Sequence, residues 1–242
     1  MEMPATLRVK LSSGAPKDQE VHFYPATWRR WLGDLEGIQP ISGEGKAFIT
    51  RQAICDAVSE HGRARPADAF ITVLQWGFGP GGRGASRARR MLTGGDHDPR
   101  HENGFDATVA DRLAGSIDPI LTGDPSTAYA YFRGSDTAIK GLGPAFFTKW
   151  IYAVSARGEW RSPQALPILD DLVQRWLQRE TEGQVVLQYG STGDYARYVA
   201  LLDDWAQMEA GLVRVDIESA VFGLEREYRR AARSAKKVKA GA

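Results

Sequence analysis

The sequence predicts a mainly α-helical protein with a small β element at its N-terminus. Three observations carry that reading. From Thr27 onward apolar residues recur at helical spacing, as with Ile54, Ala57 and Val58 behind a Thr50 cap, and Phe70, Val73 and Leu74 behind Pro66. Short turns marked by glycine and proline, the KGLGP segment above all, separate these stretches. Alternating runs are confined to the first 25 residues, where Leu7, Val9 and Leu11, then Val21 and Phe23, predict two short strands joined by SSGAPKDQE.

Taken in order, the helices opening at Thr50 and Pro66 lead into a glycine-rich loop, GFGPGGRG, from Gly77 to Gly84. An arginine-rich stretch follows, then the polar TGGDHDPRHENG segment, which predicts an exposed loop. A second helical half runs from Ser126 to about Ile139 and, after the KGLGP turn, from Pro144 to about Arg157. Further helices are expected from near Pro167, over Asp194 to Met208 and over Asp216 to about Lys236, with a loop from Gly183 to Gly193. The chain therefore divides into an extended or β segment at 1–26, a helical domain at 27–225 containing the hairpin 139–145, and a basic tail at 226–242.

Composition bounds the function. In 242 residues, 31 Lys and Arg face 30 Asp and Glu, a formal net charge of +1, which excludes a nonspecific polycation. The charges are clustered, however. Arg83, Arg87, Arg89 and Arg90 stand with no acid between Gly77 and Met91, and seven Lys or Arg lie in residues 226–239. Such an average is compatible with a focused basic face. The single cysteine, Cys55, excludes an intramolecular disulfide and a Cys-rich zinc site and fits a reducing cytoplasm. The opening MEMPATLRVKLSSG lacks a signal-peptide pattern, and no stretch approaches the ~18 apolar residues of a membrane span. The expectation is a soluble cytoplasmic protein.

Several segments carry chemistry. In Ile139-Lys140-Gly141-Leu142-Gly143-Pro144 the two glycines permit positive φ and leave the backbone bare, and Pro144 suits the first position of a helix. Such a turn beside a helix N-terminus presents N–H groups to a phosphate; equally, it serves simply to end one helix and start another. Arg83, Arg87 and Arg90 share one helix face and suit phosphates, or form a solvated surface. Gly77, Gly79 and Gly82 satisfy G-x-G-x-x-G, but Pro80 inside the pattern and the helical spacing before it argue against a dinucleotide site. His97 and His101, in DHDPRH, belong to a polar loop rather than an evident metal site. Trp31, Trp150, Trp176 and Trp205 read as core, while Trp76, Tyr152 and Trp160 are placed either for the core or to stack on an extruded base.

KGLGPAFFTKWIYAV followed by LPILDDLVQRWL resembles the helix-hairpin-helix DNA glycosylases, a two-lobed helical fold, and most of all their bacterial 8-oxoguanine glycosylase (OGG) fold branch. QWGFGPGGRGASRARRML, DYARYVALLDDWA and IESAVFGL are similar to that branch too, so the resemblance covers most of residues 50–225. It implies a monomeric, nucleoid-associated DNA glycosylase that flips a damaged or modified nucleotide out of double-stranded DNA and cleaves its N-glycosidic bond. Lys140, Gly141, Leu142, Gly143 and Pro144 would hold the backbone together with Arg83, Arg87 and Arg90. No organic cofactor is implied, and no metal held by side chains; a monovalent cation on the Gly141 and Gly143 carbonyls is.

Asp170 matches the family's aspartate, which stabilises a cationic sugar or activates water. On its own residues Asp170 equally reads as a helix cap, as does Asp171. The family's nucleophilic lysine would stand at Ala145, so the chain departs from the pattern there. Lys149 is one helical turn further on, leans back over Ala145, and shares a face with Tyr152 opposite a Phe147, Ile151 and Val154 stripe. Schiff-base nucleophile, phosphate contact and solvated lysine all stay open for it. Relatives in this branch are phage-defence glycosylases acting on hypermodified cytosines, including α-glucosylated hydroxymethylcytosine; the departure at Ala145 brings that substrate in beside an oxidised purine. The reading from a different class is a non-catalytic helix-hairpin-helix module that recognises DNA structure.

Overall fold

A computed structural model describes residues 1–39, 41–95 and 104–240, with side chains as far as residue 235. The protein is mainly helical with one small antiparallel sheet near the N-terminus. The loop histidines His97 and His101 lie outside the described residues. Among those described, no helix is long and apolar enough to cross a membrane, and no cluster of His, Cys, Asp and Glu is arranged for a metal.

The first apolar run is a helix, α1 (Ala5–Leu11), where alternation had suggested a strand. Leu7 and Leu11 satisfy both a period of two and a spacing of four. The exposure of Val9, at 73%, shows that the helical period won, with Leu7 and Leu11 buried beside Met3. The second run is the strand β1 (Val21–Phe23), and its partner is β2 (Ala47–Ile49), paired Val21 to Ile49 and Phe23 to Ala47.

Between and after the strands come α2 (Pro25–Leu32), α3 (Arg51–His61) and α4 (Pro66–Phe78). Thr50 caps α3 through its side chain, accepting from the Ala53 amide, and Pro66 opens α4. The glycine-rich loop is shorter than expected: Gly77 and Phe78 finish α4, and Arg83 already begins α5 (Arg83–Leu92). A helix rather than a strand thus precedes the G-x-G-x-x-G pattern, which removes the dinucleotide fold.

Helices α6 (Ala107–Gly115) and α7 (Ile117–Leu121) precede α8 (Pro125–Tyr131). The last stops well short of Ile139, because Gly134, Ser135 and Asp136 break it into turns. Then follow α9 (Pro144–Ser155), α10 (Asp171–Glu180), α11 (Thr192–Gln207) and α12 (Arg214–Ala240). Residues 226–240 of the basic tail continue α12.

Helices α3, α4, α5, α6 and α9 pack around one another, and α1, α10 and α11 pack around α12. A continuous core runs through both groups. Helix α9 is central: Phe147 to Ser155 are all buried, so it has no apolar stripe opposed to a polar face, as its spacing had suggested. Its companion is the segment before α10. Instead of a helix from Pro167, residues 166–169 form no regular element, and backbone groups among them are satisfied by side chains. Ser155 Oγ accepts from the Leu166 amide, and the Tyr195 and Tyr198 hydroxyls donate to the Pro167 and Ile168 carbonyls. Thr148 Oγ1 accepts from the Leu169 amide while donating to Pro144.

Candidate active site

Those anchors deliver Asp170 to one place. It is the N-cap of α10: Oδ1 accepts from the Leu172 amide at 3.0 Å and the Val173 amide at 3.1 Å. This leaves Oδ2, which stands 3.7 Å from Lys149 Nζ. The cap and the candidate catalytic carboxylate are one residue, each role using a different oxygen. Asp171, the other capping candidate, instead pairs with Arg175 on the helix surface.

Lys149 arrives from α9 and is only 7% exposed. Its ammonium donates to the Ala145 carbonyl at 2.7 Å, so the side chain does lean back one turn. The ring of Phe146 lies beneath it, 5.4 Å from centroid to nitrogen. Burial pushes the Lys149 pKa below the ordinary lysine value, against the upward pull of Asp170 and Glu218.

The Lys149 stem passes Gly77 of α4. A Cβ at Gly77 would stand 2.9 Å from Lys149 Cδ and 3.1 Å from Phe146 Cε1. A glycine inside a helix costs ~1 kcal/mol against alanine, and here it makes room for the lysine. Gly77→Ala is therefore expected to keep stability within about 1 kcal/mol, propensity offsetting crowding, while displacing the ammonium. Turnover at the site should fall on the order of 10- to 100-fold. Thermal melts beside single-turnover kinetics check both halves of the expectation.

Lys149 and Asp170 border a cavity of about 200 Å³. Trp76 and Gly77 of α4 line one side, Ile168 and Leu172 another, and Glu218 and Phe222 of α12 a third, with Arg51 and Gln19 completing it. Gln19 is held by its carbonyl, which accepts from Trp76 Nε1. Next to it Asp18 accepts from the first amides of α3, Arg51 and Gln52.

Sequence reasoning missed the charges deepest in this cavity. Arg51 and Glu218 form a two-pronged ion pair at 2.6 and 3.1 Å with both side chains 1% exposed. The guanidinium also lies 5.2 Å from the ring centroids of both Trp76 and Tyr152. Burial works against the charge on Arg51, but Glu218 more than offsets it, and the net shift is upward. Burial pushes Glu218 upward too, against the pull of Arg51. Glu218 had a signal in the sequence: an acid inside the buried stripe of Val215, Ile217 and Val221. Arg51 had a fainter one, a cation in the first turn of a helix, where the dipole disfavours it.

Of the three aromatic residues considered for stacking, only Trp76 lines the cavity. Tyr152 is fully buried, its hydroxyl spent on the Trp160 carbonyl, so it is core and offers no face to a base. Trp160 is half-buried away from the cavity, beside Arg161. Cys55 is buried with its thiol pushed up to about 12 by desolvation, which keeps it from acting as a nucleophile.

The basic residues singled out in sequence converge at a second place. Arg87 and Arg90 of α5 share a groove of about 180 Å³ with Met91, Gly95, Lys140 and Gly141. Arg83 is exposed at the start of the same helix, outside the groove. Arg89 is buried instead, bound to Asp34. Arg87 lies over the rings of Phe78 and Phe146, and Phe146 is the ring under Lys149. Gly141 has φ +80°, as the turn requires, Leu142 turns into the core, and Gly143 caps α9 ahead of Pro144. The Gly143 carbonyl accepts from the Phe146 and Phe147 amides at 2.9 and 3.0 Å. Both its lone pairs are thereby used, so Gly143 does not fit as a ligand for a monovalent cation.

The sequence model of a family described as "Putative 8-oxoguanine DNA glycosylase OGG-like protein" matches residues 14–222. The chain belongs to this family. No curated protein and no solved structure is significantly similar to it. The stretch matched by the OGG-like family contains every residue of the Lys149 and Asp170 cavity, from Gln19 to Phe222. It ends where α12 extends beyond the core.

Proposed function

We propose that this OGG-like protein is a DNA glycosylase that extrudes a modified base from duplex DNA and cleaves its N-glycosidic bond, leaving an abasic site. One observation carries the reading: a buried lysine and a carboxylate oxygen meet 3.7 Å apart at the wall of a cavity that Trp76 also lines. As the bond from C1′ to the base breaks, its electron pair leaves with the base and positive charge develops on the sugar. Asp170 Oδ2 faces that charge, while Oδ1, tied to two amides, keeps the carboxylate in place. Water then adds to C1′, and the proton it gives up neutralises the departed base; no cofactor enters the balance. If Lys149 attacks instead, its neutral amine bonds C1′ as the base leaves with the electron pair of the broken bond and takes up the amine proton; the C1′–O4′ bond then breaks, its electron pair and a proton going to O4′, which gives the Schiff base. Trp76 offers a face to the extruded base, and Lys140, Gly141, Arg87 and Arg90 hold the strand beside it.

Two base classes are proposed as substrate: 8-oxoguanine, after the family's description, and hypermodified cytosine such as α-glucosyl-hydroxymethylcytosine, which the alanine at position 145 favours. The first assigns the protein to repair and the second to defence against phage. Incubation with 8-oxoguanine duplexes and with glucosylated phage DNA, followed by counting abasic sites, decides between them. No abasic sites in either, with salt-dependent DNA binding that Asp170→Asn leaves untouched, would leave a non-catalytic DNA-structure-binding module.

Borohydride trapping tests the lysine. Lys149→Ala is expected to abolish the covalent adduct. In the unaltered protein trapping should increase as pH rises through the lowered Lys149 pKa, because only the neutral amine attacks. An adduct surviving Lys149→Ala points to Lys140.

A further inference from the structure

The surface where α12 leaves the core has no role in the site described so far. There Arg226, Arg229, Arg230 and Arg233, with Ser234 and Leu172 of α10, line an open groove of about 370 Å³. Arg226, Arg230 and Arg233 are exposed, and among the described residues no carboxylate pairs with them. Arg229 is held back by Glu225 and Asp171. The groove adjoins the candidate active site: Leu172 lines both, and Arg226 lies 5.7 Å from the ring of Phe222, which also lines the cavity. The Arg87 groove joins the cavity through different residues, since Phe146 lies beside both Lys149 and Arg87.

We propose that the α12 groove binds the phosphates of the damaged strand on one side of the extruded nucleotide, with the Arg87 and Arg90 groove binding those on the other. This rests on the glycosylase reading above. The chemistry is that of guanidinium forks on phosphate oxygens. Arg226 to Arg233 spans about 10 Å of helix axis at 1.5 Å per residue, long enough for these guanidiniums to reach more than one phosphate of a strand. Two cationic grooves that reach one cavity through separate residues grip the strand where it must be distorted, and so hold open the gap left by the base.

The test uses the full chain and a duplex carrying a tetrahydrofuran abasic analogue. In the triple variant Arg226→Gln, Arg230→Gln, Arg233→Gln the slope of log affinity against log salt concentration should fall by about three units. Phosphate-ethylation interference should vanish on one side of the analogue only. Arg87→Gln with Arg90→Gln should remove it on the other side. An unchanged slope and pattern in the triple variant, or loss on both sides alike, overturns the proposal. If the protein releases no base and does not prefer the analogue, the glycosylase reading fails, while the slope still reports whether α12 binds phosphate.

Discussion

Asp170→Asn is expected to reduce base release by about 10² to 10³-fold while the fold stays intact. The substitution separates the two roles of one side chain. Asparagine caps helices as well as aspartate, and its Oδ1 can keep accepting from the Leu172 and Val173 amides. What disappears is the negative charge on the atom that faces Lys149 and that, in the proposed mechanism, faces the developing sugar cation. Asp170→Ala should lose as much activity and, in addition, about 1 kcal/mol of stability through the missing cap. Single-turnover kinetics and thermal melts on the two variants give both quantities, and full activity in Asp170→Asn would remove Asp170 from the chemistry.

Arg51→Met is expected to be the most destabilising single change in the site, at about 3 to 5 kcal/mol. It leaves Glu218, 1% exposed, without the guanidinium that holds both its oxygens. In a chain of this size that corresponds to a melting temperature lower by on the order of 10 °C. The loss has a definite dependence on pH. Burial already pushes Glu218 above the ordinary glutamate value, and removing Arg51 pushes it further. The folded variant then holds a proton that the unfolded chain releases, so stability falls as pH rises through the folded pKa. The deficit should be largest at pH 8 and shrink toward pH 5. Adding Glu218→Leu should recover most of it, because no unpaired charge remains buried. A deficit that is flat with pH and survives in the double variant would mean that lost packing between Trp76 and Tyr152, rather than charge, sets the cost.

The helices that carry the site were legible because their signals are local. Thr50 and Pro66 open helices through one side-chain bond or one fixed φ, and the lean of Lys149 over Ala145 follows from the direction of every helical Cβ. Where two periods fit equally, as with Leu7 and Leu11, only burial against α12 chose between strand and helix. The irregular stretch ahead of Asp170 was not legible. Its backbone bonds go to Ser155, Thr148, Tyr195 and Tyr198, at sequence distances that no local pattern reports.

By itself, then, the sequence determined a helical chain with a carboxylate and a lysine 21 residues apart, a bare glycine turn, and arginines on one helix face. Tertiary structure decided the rest. It gave Asp170 two jobs on two oxygens, drew Tyr152 into the core, and set Arg51 against Glu218, 167 residues away, at the floor of the cavity. It also brought the arginines of α12 against Leu172 of α10 in a groove that adjoins the cavity. The reason is common to all four. Spacing along a chain fixes which way a side chain leaves its own helix, whereas burial and charge pairing depend on which other elements arrive to meet it.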